Sequence, residues 1–286
     1  MPAKQTRKRH SLPVCWEELT ASDFPEAVRR ARGVCLLPIG VIEKHGPHLP
    51  LGTDVMAVRE AATRAARREY AVVFPHYYFG QIYEARHQPG CITIRPELLS
   101  ELLAEVCDEI ARNGFRTILI ANGHGGNIHW LNYFCQMQLA KRKDYVVYVA
   151  GHSWDEKTQP RIKALRKTDW GGHADEVETS WMMVIRPDLV ELPRAGEESG
   201  RPRRRLKRLP DTQTGIWWYA DFPDHYAGDA RPANIELGEL ALEGWVKGLV
   251  EVLRAVKKET VTEKLQDEFH SRADAPLAAR PRKRPK

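Results

Sequence analysis

Short apolar runs alternate with segments of helical length through most of the sequence. The apolar runs have the length of buried strands, and they lie at 34–39, 71–75, 117–121 and 145–151. The segments predicted to be helical lie at 55–70, 96–114, 128–142, 173–185 and 235–258. Strands and helices that alternate in this way are typical of an α/β protein, in which helices cover both faces of a parallel sheet. We therefore predict an α/β fold with a mostly parallel central sheet.

Polar residues that could carry chemistry follow three of the four predicted strands. Glu43 and His45 come after the first apolar run, and His124 comes after the third. His152 and Trp154 follow the fourth run. Ligands of open parallel sheets bind beyond the carboxyl ends of the strands, so these residues are expected to meet at one edge of the sheet.

The segment EKHGPHLPLGTD at 43–54 has the composition of a metal site. Glu43 and His45 are two residues apart, so an extended chain can direct both side chains to the same side. Asp54 opens a predicted helix and can turn its carboxylate back toward them. Carboxylate oxygens and imidazole nitrogens suit Zn, Mn or Fe. His48 is expected to brace this loop, with contact to substrate as the alternative.

The motif NGHGGN places His124 between glycines, which allow close approaches that larger residues forbid. This favours a metal ligand over an ordinary core histidine. A phosphate cradle is the competing interpretation, but the segment has neither a following GK[ST] nor GxGxxG spacing.

The motif HADEVETS at 173–180 supplies a second acidic residue near a histidine. Glu178 lies inside a predicted helix and His173 comes just before it, so that one residue could bind metal while the other exchanges protons with substrate. Trp154 and Trp170 could wall a small planar ligand, with packing in the core or a lid as the alternative. No GxSxG motif is present, and nothing else in the sequence fits a serine or cysteine nucleophile.

Positive charge is concentrated in three segments of the 286-residue chain. Fifteen of its Lys and Arg residues lie at 4–10, 201–208 and 280–286, so that the formal net charge of +6 leaves about −9 on the remainder. We expect disordered basic tails at 1–11 and 266–286 around one catalytic domain at 12–265, with a surface loop at 201–208. Binding of nucleic acid through these basic segments is an alternative role.

Other features bear on where the protein is found. No apolar run is long enough to cross a bilayer, and no signal peptide is recognisable, so we expect a cytoplasmic protein without a membrane partner. The five cysteines are widely spaced and include no CxxC pair, which argues against a disulfide framework and a thiolate zinc site.

Taken together, the motifs resemble those of the creatininase (creatinine amidohydrolase) family. The likeness covers about residues 34–240 and runs, in order, through LPIGVIEKHGPHLPLGTD, PGCITI, ILIANGHGGN, HADEVETS and, more faintly, HYAGDARPANIELGE. The resemblance implies a three-layer α/β/α domain, a homo-oligomer that is often a hexamer, and a centre of two divalent metal ions. It also implies hydrolysis of carbon–nitrogen bonds other than ordinary peptide bonds.

The resemblance also assigns roles to individual residues. His173 matches a histidine proposed to transfer protons, and Asp54 matches a carboxylate that bridges two metals. The positions that match family metal ligands are Glu43, His45, Asp54 and His124.

Two positions depart from the family pattern. Creatininase itself has a glutamate ligand at the position of Gly126 in this chain. Many other family members also have NGHGGN, with glycine at this position, and Glu178 could complete the centre instead. This departure weakens the case for creatinine as the substrate. Lys44 replaces a common glutamine, and its cation should point away from the metals or contact an acidic substrate.

The expected activity is therefore hydrolysis of a small cyclic amide, lactam or formamide. A hydroxide that bridges two metals would attack the carbonyl, and His173 would pass a proton to the leaving nitrogen. Two alternatives remain open: a family peptidase that trims a short precursor peptide, as in the mycofactocin system, and a non-catalytic protein associated with nucleic acid.

Overall fold

Parallel strands form the central sheet of the molecule, and across the sheet the second strand of the chain comes first, followed by the first, third and fourth. The structure is a computed structural model, and it describes residues 12–210 and 212–277. The strands are β1 (Val34–Ile39), β2 (Val72–Val73), β3 (Thr117–Asn122) and β4 (Val146–Ala150). The strands β1, β2 and β4 lie within predicted runs, and β3 extends one residue beyond its run, to Asn122. Every pairing between them is parallel. The β2 strand is shorter than predicted: Phe74 still donates its backbone N–H to the oxygen of Leu36, but the next residue, Pro75, has no N–H group to continue the ladder.

Helices flank the sheet and connect its strands. They are α1 (Phe24–Arg30), α2 (Thr53–Arg68), α3 (Pro96–Arg112), α4 (Asn127–Met137), α5 (Thr158–Leu165), α6 (Glu176–Ile185), α7 (Trp217–Asp221), α8 (Ile235–Val256) and α9 (Thr262–Ala273). Short 3₁₀ turns lie at Trp16–Glu18, Tyr83–Ala85, Gln138–Ala140, Pro187–Leu189 and Leu192–Gly196.

The side chains of β1 alternate between two hydrophobic layers. Val34 and Leu36 join the cluster that includes α2, α6 and α8, whereas Cys35, Leu37 and Ile39 join the cluster that includes α1, α3 and α4. Complete burial of a leucine or isoleucine stabilises the fold by about 1.5–3 kcal/mol. A strand buried on both faces needs helices on both sides, so the predicted three-layer α/β/α architecture is confirmed.

Two predicted helices have different bounds in the structure. The helix predicted over 128–142 ends at Met137 and continues as a 3₁₀ turn. The helix predicted over 173–185 begins only at Glu176, because Asp175 caps it by accepting hydrogen bonds from the backbone N–H groups of Val177 and Glu178. This later start leaves His173 outside the helix.

The C-terminal boundary predicted at 265 is wrong, because α9 continues to Ala273. Its His270 is buried, and Gln266 donates a hydrogen bond to the backbone oxygen of Tyr145, so this segment packs on the domain. The predicted tail at 1–11, and residues 278–286 of the tail predicted at 266–286, lie outside the described residues. The segment 201–208 lies on the surface, as predicted. In the described part of the chain, no helix is both long and apolar enough to span a membrane.

Candidate metal centre

The loop after β1 folds back, so that its polar residues lie next to the first turn of α2. Its backbone is closed by a hydrogen bond from the N–H of Glu43 to the oxygen of Leu51, at 3.0 Å. Gly40 makes the close approach possible, since a Cβ there would lie 2.6 Å from the backbone nitrogen of Val55. This geometry brings Glu43 next to Asp54 in the first turn of α2.

Asp54 directs its two carboxylate oxygens to two different imidazoles. Its Oδ1 lies 3.1 Å from Nε2 of His45, and its Oδ2 lies 2.9 Å from Nδ1 of His124. His45 is held in this orientation by a contact of 3.2 Å between its Nδ1 and the backbone oxygen of Glu43. A carboxylate shared between two nitrogen donors is the arrangement expected of a ligand that bridges two cations.

We call the first group of donors the His124 subsite, formed by Glu43, Asp54 and His124. Glu43 Oε1 lies 2.8 Å from Nδ1 of His124. Glu43 Oε1 and Asp54 Oδ2 are nevertheless buried without a hydrogen-bond partner in the described chain. Buried carboxylate oxygens without partners are costly, and a bound cation would satisfy them. The donor set therefore fits a divalent metal.

We call the second group the His45 subsite, formed by His45, Asp54 and Glu178. Glu178 Oε2 lies 3.8 Å from Nε2 of His45 and accepts a hydrogen bond of 2.6 Å from the backbone N–H of Ala174. The side chain of Glu178 is 18% exposed, whereas those of Glu43 and His45 are 0% exposed. The centre therefore opens to solvent on the side of the His45 subsite.

His173 lies against both subsites at the entrance to α6. Two backbone hydrogen bonds with Ala227 fix its position, at 3.1 and 3.0 Å. Its Nε2 contacts the backbone oxygen of Lys44 at 2.8 Å, and its ring centroid lies 4.3 Å from that of His45. Burial holds the pKa of His173 well below its ordinary value, although the Glu43 carboxylate opposes this shift. The imidazole is therefore neutral at neutral pH, with Nε2–H donating to Lys44.

His225 belongs to the same cluster and was not identified from the sequence. Its Nε2 forms a hydrogen bond with Glu43 Oε2, and its Nδ1 accepts one of 2.9 Å from the indole N–H of Trp218. Because Nδ1 accepts, Nε2 carries the proton and donates it to Glu43. His225 has a positive φ of 51°, which is uncommon for a residue other than glycine. The only signal in the sequence was its position at the start of the faintly matching HYAGDARPANIELGE segment.

The remaining predicted residues lie around this cluster. His48 is buried and forms a hydrogen bond of 2.8 Å with the hydroxyl of Thr179, which fits a brace for the loop. Trp154 donates its indole N–H to the backbone oxygen of Ala241 in α8, at 2.9 Å. Trp170 stacks with the guanidinium of Arg201, whose carbon lies 5.4 Å from the ring centroid.

The two departures from the family pattern have clear positions. A Cβ at position 126 would lie 2.4 Å from Nε2 of His124, so Gly126 leaves no room for a glutamate with the imidazole as it stands. Lys44 directs its ammonium group to both carboxylate oxygens of Glu198, at 2.7 Å each. The lysine charge is thus neutralised within the chain.

Metal binding is expected to weaken as the pH falls. Burial lowers the pKa of His45, but Asp54, Glu43 and Glu178 outweigh it and raise the pKa to about 9. Burial raises the pKa of Glu178 to about 8. Both groups therefore hold protons at neutral pH in the metal-free protein, and a metal must displace those protons. Each displaced proton should lower the apparent affinity about tenfold per pH unit below these pKa values.

Calorimetric titration of the metal-free protein with Zn²⁺ or Mn²⁺ in buffers of different ionisation enthalpy measures this proton release. Burial lowers the pKa of His124, but Glu43 and Asp54 outweigh it and raise that pKa well above its ordinary value. We therefore expect two to three protons per chain near pH 7, from His45, Glu178 and His124. An affinity that stays constant from about pH 8 to about pH 6, without proton release, would contradict the predicted linkage.

Comparison with known proteins gives one family. Residues 17–253 match the sequence model of the family described as creatininase, creatinine amidohydrolase. A creatinine amidohydrolase of Pseudomonas putida is 28% identical over 260 residues, which cover 83% of this chain and 95% of that protein. A 3-dehydro-scyllo-inosose hydrolase of Thermotoga maritima is 23% identical over 267 residues, covering 85% and 83%. A mycofactocin precursor peptide peptidase of Mycobacterium tuberculosis is 33% identical over 181 residues, covering 58% and 65%.

Solved creatininase structures have the same fold. A manganese form superposes with a TM-score of 0.71 at 25% identity, covering 86% of this chain and all of that one. A Zn–Zn form of a creatininase variant also gives a TM-score of 0.71 at 25% identity, covering 87% of this chain and all of its own.

Proposed function

The chain belongs to the creatininase family, and from that membership we propose a metal-dependent amidohydrolase that cleaves a non-peptide carbon–nitrogen bond. Its substrate would be a small cyclic amide, lactam or formamide. The observation that best supports the proposal is the orientation of Asp54, whose two oxygens face His45 and His124 separately.

The proposed ligands divide between two ions that share Asp54. Glu43 and His124 would hold one ion, and His45 and Glu178 would hold the other. Bound divalent ions would polarise the carbonyl of the substrate and lower the pKa of water. Zn, Mn and Fe all suit this set of oxygen and nitrogen donors.

His173 would transfer a proton from water to the leaving nitrogen. Its Nε2–H donates to the backbone oxygen of Lys44, which leaves a lone pair on Nδ1. Nδ1 could accept a proton from water and return it to the departing nitrogen. Glu178 is the most exposed proposed ligand, so we propose that substrate approaches from the side of the His45 subsite.

Creatinine is not the favoured substrate. Gly126 replaces the ligand glutamate of creatininase. A side chain at this position would clash with the imidazole of His124. A peptidase that trims a short precursor is the second candidate, because the mycofactocin peptidase is 33% identical over the segment that it shares with this chain. The relative named as a 3-dehydro-scyllo-inosose hydrolase supports a substrate other than creatinine. A homo-oligomeric, hexameric assembly and a cytoplasmic location stay predictions from the sequence.

A substrate screen with and without chelator tests the proposal. The protein reconstituted with Zn²⁺ or Mn²⁺ is incubated with lactams, cyclic ureides, formamides and short peptides, and the hydrolysis products are quantified by mass spectrometry. We expect hydrolysis of at least one non-peptide amide, lost on chelation and restored by metal. Hydrolysis limited to peptides would select the peptidase, and turnover insensitive to the chelator would exclude the proposed metal chemistry.

A further inference from the structure

His124 has one ring nitrogen that the proposed metal centre leaves unexplained. Its Nδ1 faces Glu43 and Asp54 at 2.8 and 2.9 Å, so Nδ1 is the atom that would bind metal. Neutral imidazole that ligates through one nitrogen carries its proton on the other. That proton would be on Nε2, which is buried and has no hydrogen-bond partner among the described residues.

A carboxylate borders that side of the ring, and it belongs to Glu84 in the 3₁₀ turn Tyr83–Ala85. The position of a Cβ on Gly126 lies 2.4 Å from Nε2 of His124 and 2.8 Å from Oε1 of Glu84, so the two atoms border the same small space. Gly126 has ordinary helical angles, with φ −62° and ψ −22°. Glycine is therefore needed here for the space that it leaves, and not for its backbone conformation.

A hydrogen-bond network holds the glutamate in this place. Gln81 donates from Nε2 to Glu84 Oε2 at 3.0 Å, and its backbone N–H donates to Oδ1 of Asn127 at 2.8 Å. Asn127 donates in turn to Asn122, which accepts a hydrogen bond of 3.2 Å from the backbone N–H of His124. The network joins both sides of the small space and leaves Glu84 Oε1 for another donor.

We propose that Glu84 is a positioning residue of the metal centre. Its carboxylate would accept a hydrogen bond from Nε2–H of His124, directly after a small side-chain rotation or through one water. This inference rests on the proposed metal-dependent function. Metal-bound histidines commonly donate their second N–H to a carboxylate, which fixes the ring and makes it a stronger ligand. Loss of such a partner typically costs about 10–100-fold in metal affinity.

Zn²⁺ competition with a chromophoric chelator tests the proposal on metal-free protein. Glu84→Ala should weaken Zn²⁺ binding at the His124 subsite by about 10–100-fold. Glu84→Gln should cost less, because its amide oxygen still accepts and charge-assisted hydrogen bonds are only roughly twice as strong as neutral ones. A Glu178→Gln background isolates the His124 subsite, and Glu105→Ala, at an exposed position of α3, is the matched control.

In Glu84→Ala, the loss of Zn²⁺ affinity should be confined to the His124 subsite. The melting temperature of the metal-free protein should stay unchanged. Wild-type affinity in Glu84→Ala would overturn the inference, as would equal losses at both subsites with a matching fall in that melting temperature. If Glu84→Ala does not fold, Glu84→Met, which keeps a side chain of similar length but cannot accept the hydrogen bond, decides by the same criteria. Failure of the unaltered protein to bind Zn²⁺ would instead overturn the proposed function, and this inference with it.

Discussion

Replacing Asp54 with asparagine is expected to abolish binding of both metal ions together with turnover. The two oxygens of Asp54 face His45 and His124 separately, so a single substitution removes an anionic donor from each subsite. Loss of a residue that hydrogen-bonds to a metal ligand typically lowers metal affinity by about 10–100-fold. Loss of a ligand shared by both ions should therefore lower the affinity for each ion by more than about 100-fold. Elemental analysis of the purified variant, together with its rate on the substrate found for the unaltered protein, measures both effects.

A matched control separates metal loss from a general effect on a helix. Glu97 occupies the first turn of α3, as Asp54 occupies that of α2, but it is exposed. A negative charge at a helix start is worth about 0.3–1 kcal/mol, so Glu97→Gln should cost a little stability and leave metal content unchanged. An Asp54→Asn protein with full metal content and full rate would show that the carboxylate is not shared between ions.

Replacement of His173 with alanine is expected to have the opposite signature, with metal retained and turnover lost. The imidazole lies beside both subsites, but its Nε2 is engaged with the backbone oxygen of Lys44. Loss of a positioned acid or base typically lowers the rate by about 10²–10⁴-fold. We expect that fall in kcat, with two ions still bound per chain.

The control for this variant is His129→Ala, at an exposed position of α4, which should leave kcat and metal content unchanged. Partial recovery of the His173→Ala rate by added imidazole would support proton transfer as the lost function. If the variant lost its metal as well, His173 would be a ligand. If kcat fell less than about threefold, proton transfer in the reaction would need another group.

The main residues of the candidate centre could be predicted from the sequence, because the sheet topology brings residues that are far apart in the chain to the same edge of the sheet. Glu43 and His45 follow β1 and His124 follows β3, and adjacent parallel strands end at the same edge of the sheet. Asp54 was predicted from its place at the start of a helix with clear periodicity. The structure brings all four side chains together, and their roles as ligands stay predictions.

Residues that reach the centre from irregular segments could not be predicted in this way. His225 lies 182 positions from Glu43, and no strand or regular helix pattern comes just before it to show where its side chain points. Glu84 lies in a 3₁₀ turn that has no hydrophobic periodicity. For Trp154 the sequence left two alternatives open, because tryptophan suits both a substrate wall and a core. Its hydrogen bond to the backbone oxygen of Ala241 is compatible with both.

The C-terminal boundary was mispredicted for a related reason. The basic residues at 280–286 made the whole end of the chain look like a tail, and α9 has no long apolar face. Its packing depends on a few specific contacts, such as Gln266 with the backbone oxygen of Tyr145. Such contacts depend on the tertiary fold and leave no periodic signal.

The most direct test of the central claim is to locate metal ions in crystals of the protein by anomalous scattering, after growth with Zn²⁺ or Mn²⁺. The account predicts two peaks on either side of the Asp54 carboxylate, one also bound by Glu43 and His124 and the other by His45 and Glu178. Crystals that show no peak within coordination distance of Asp54 at saturating metal would contradict it.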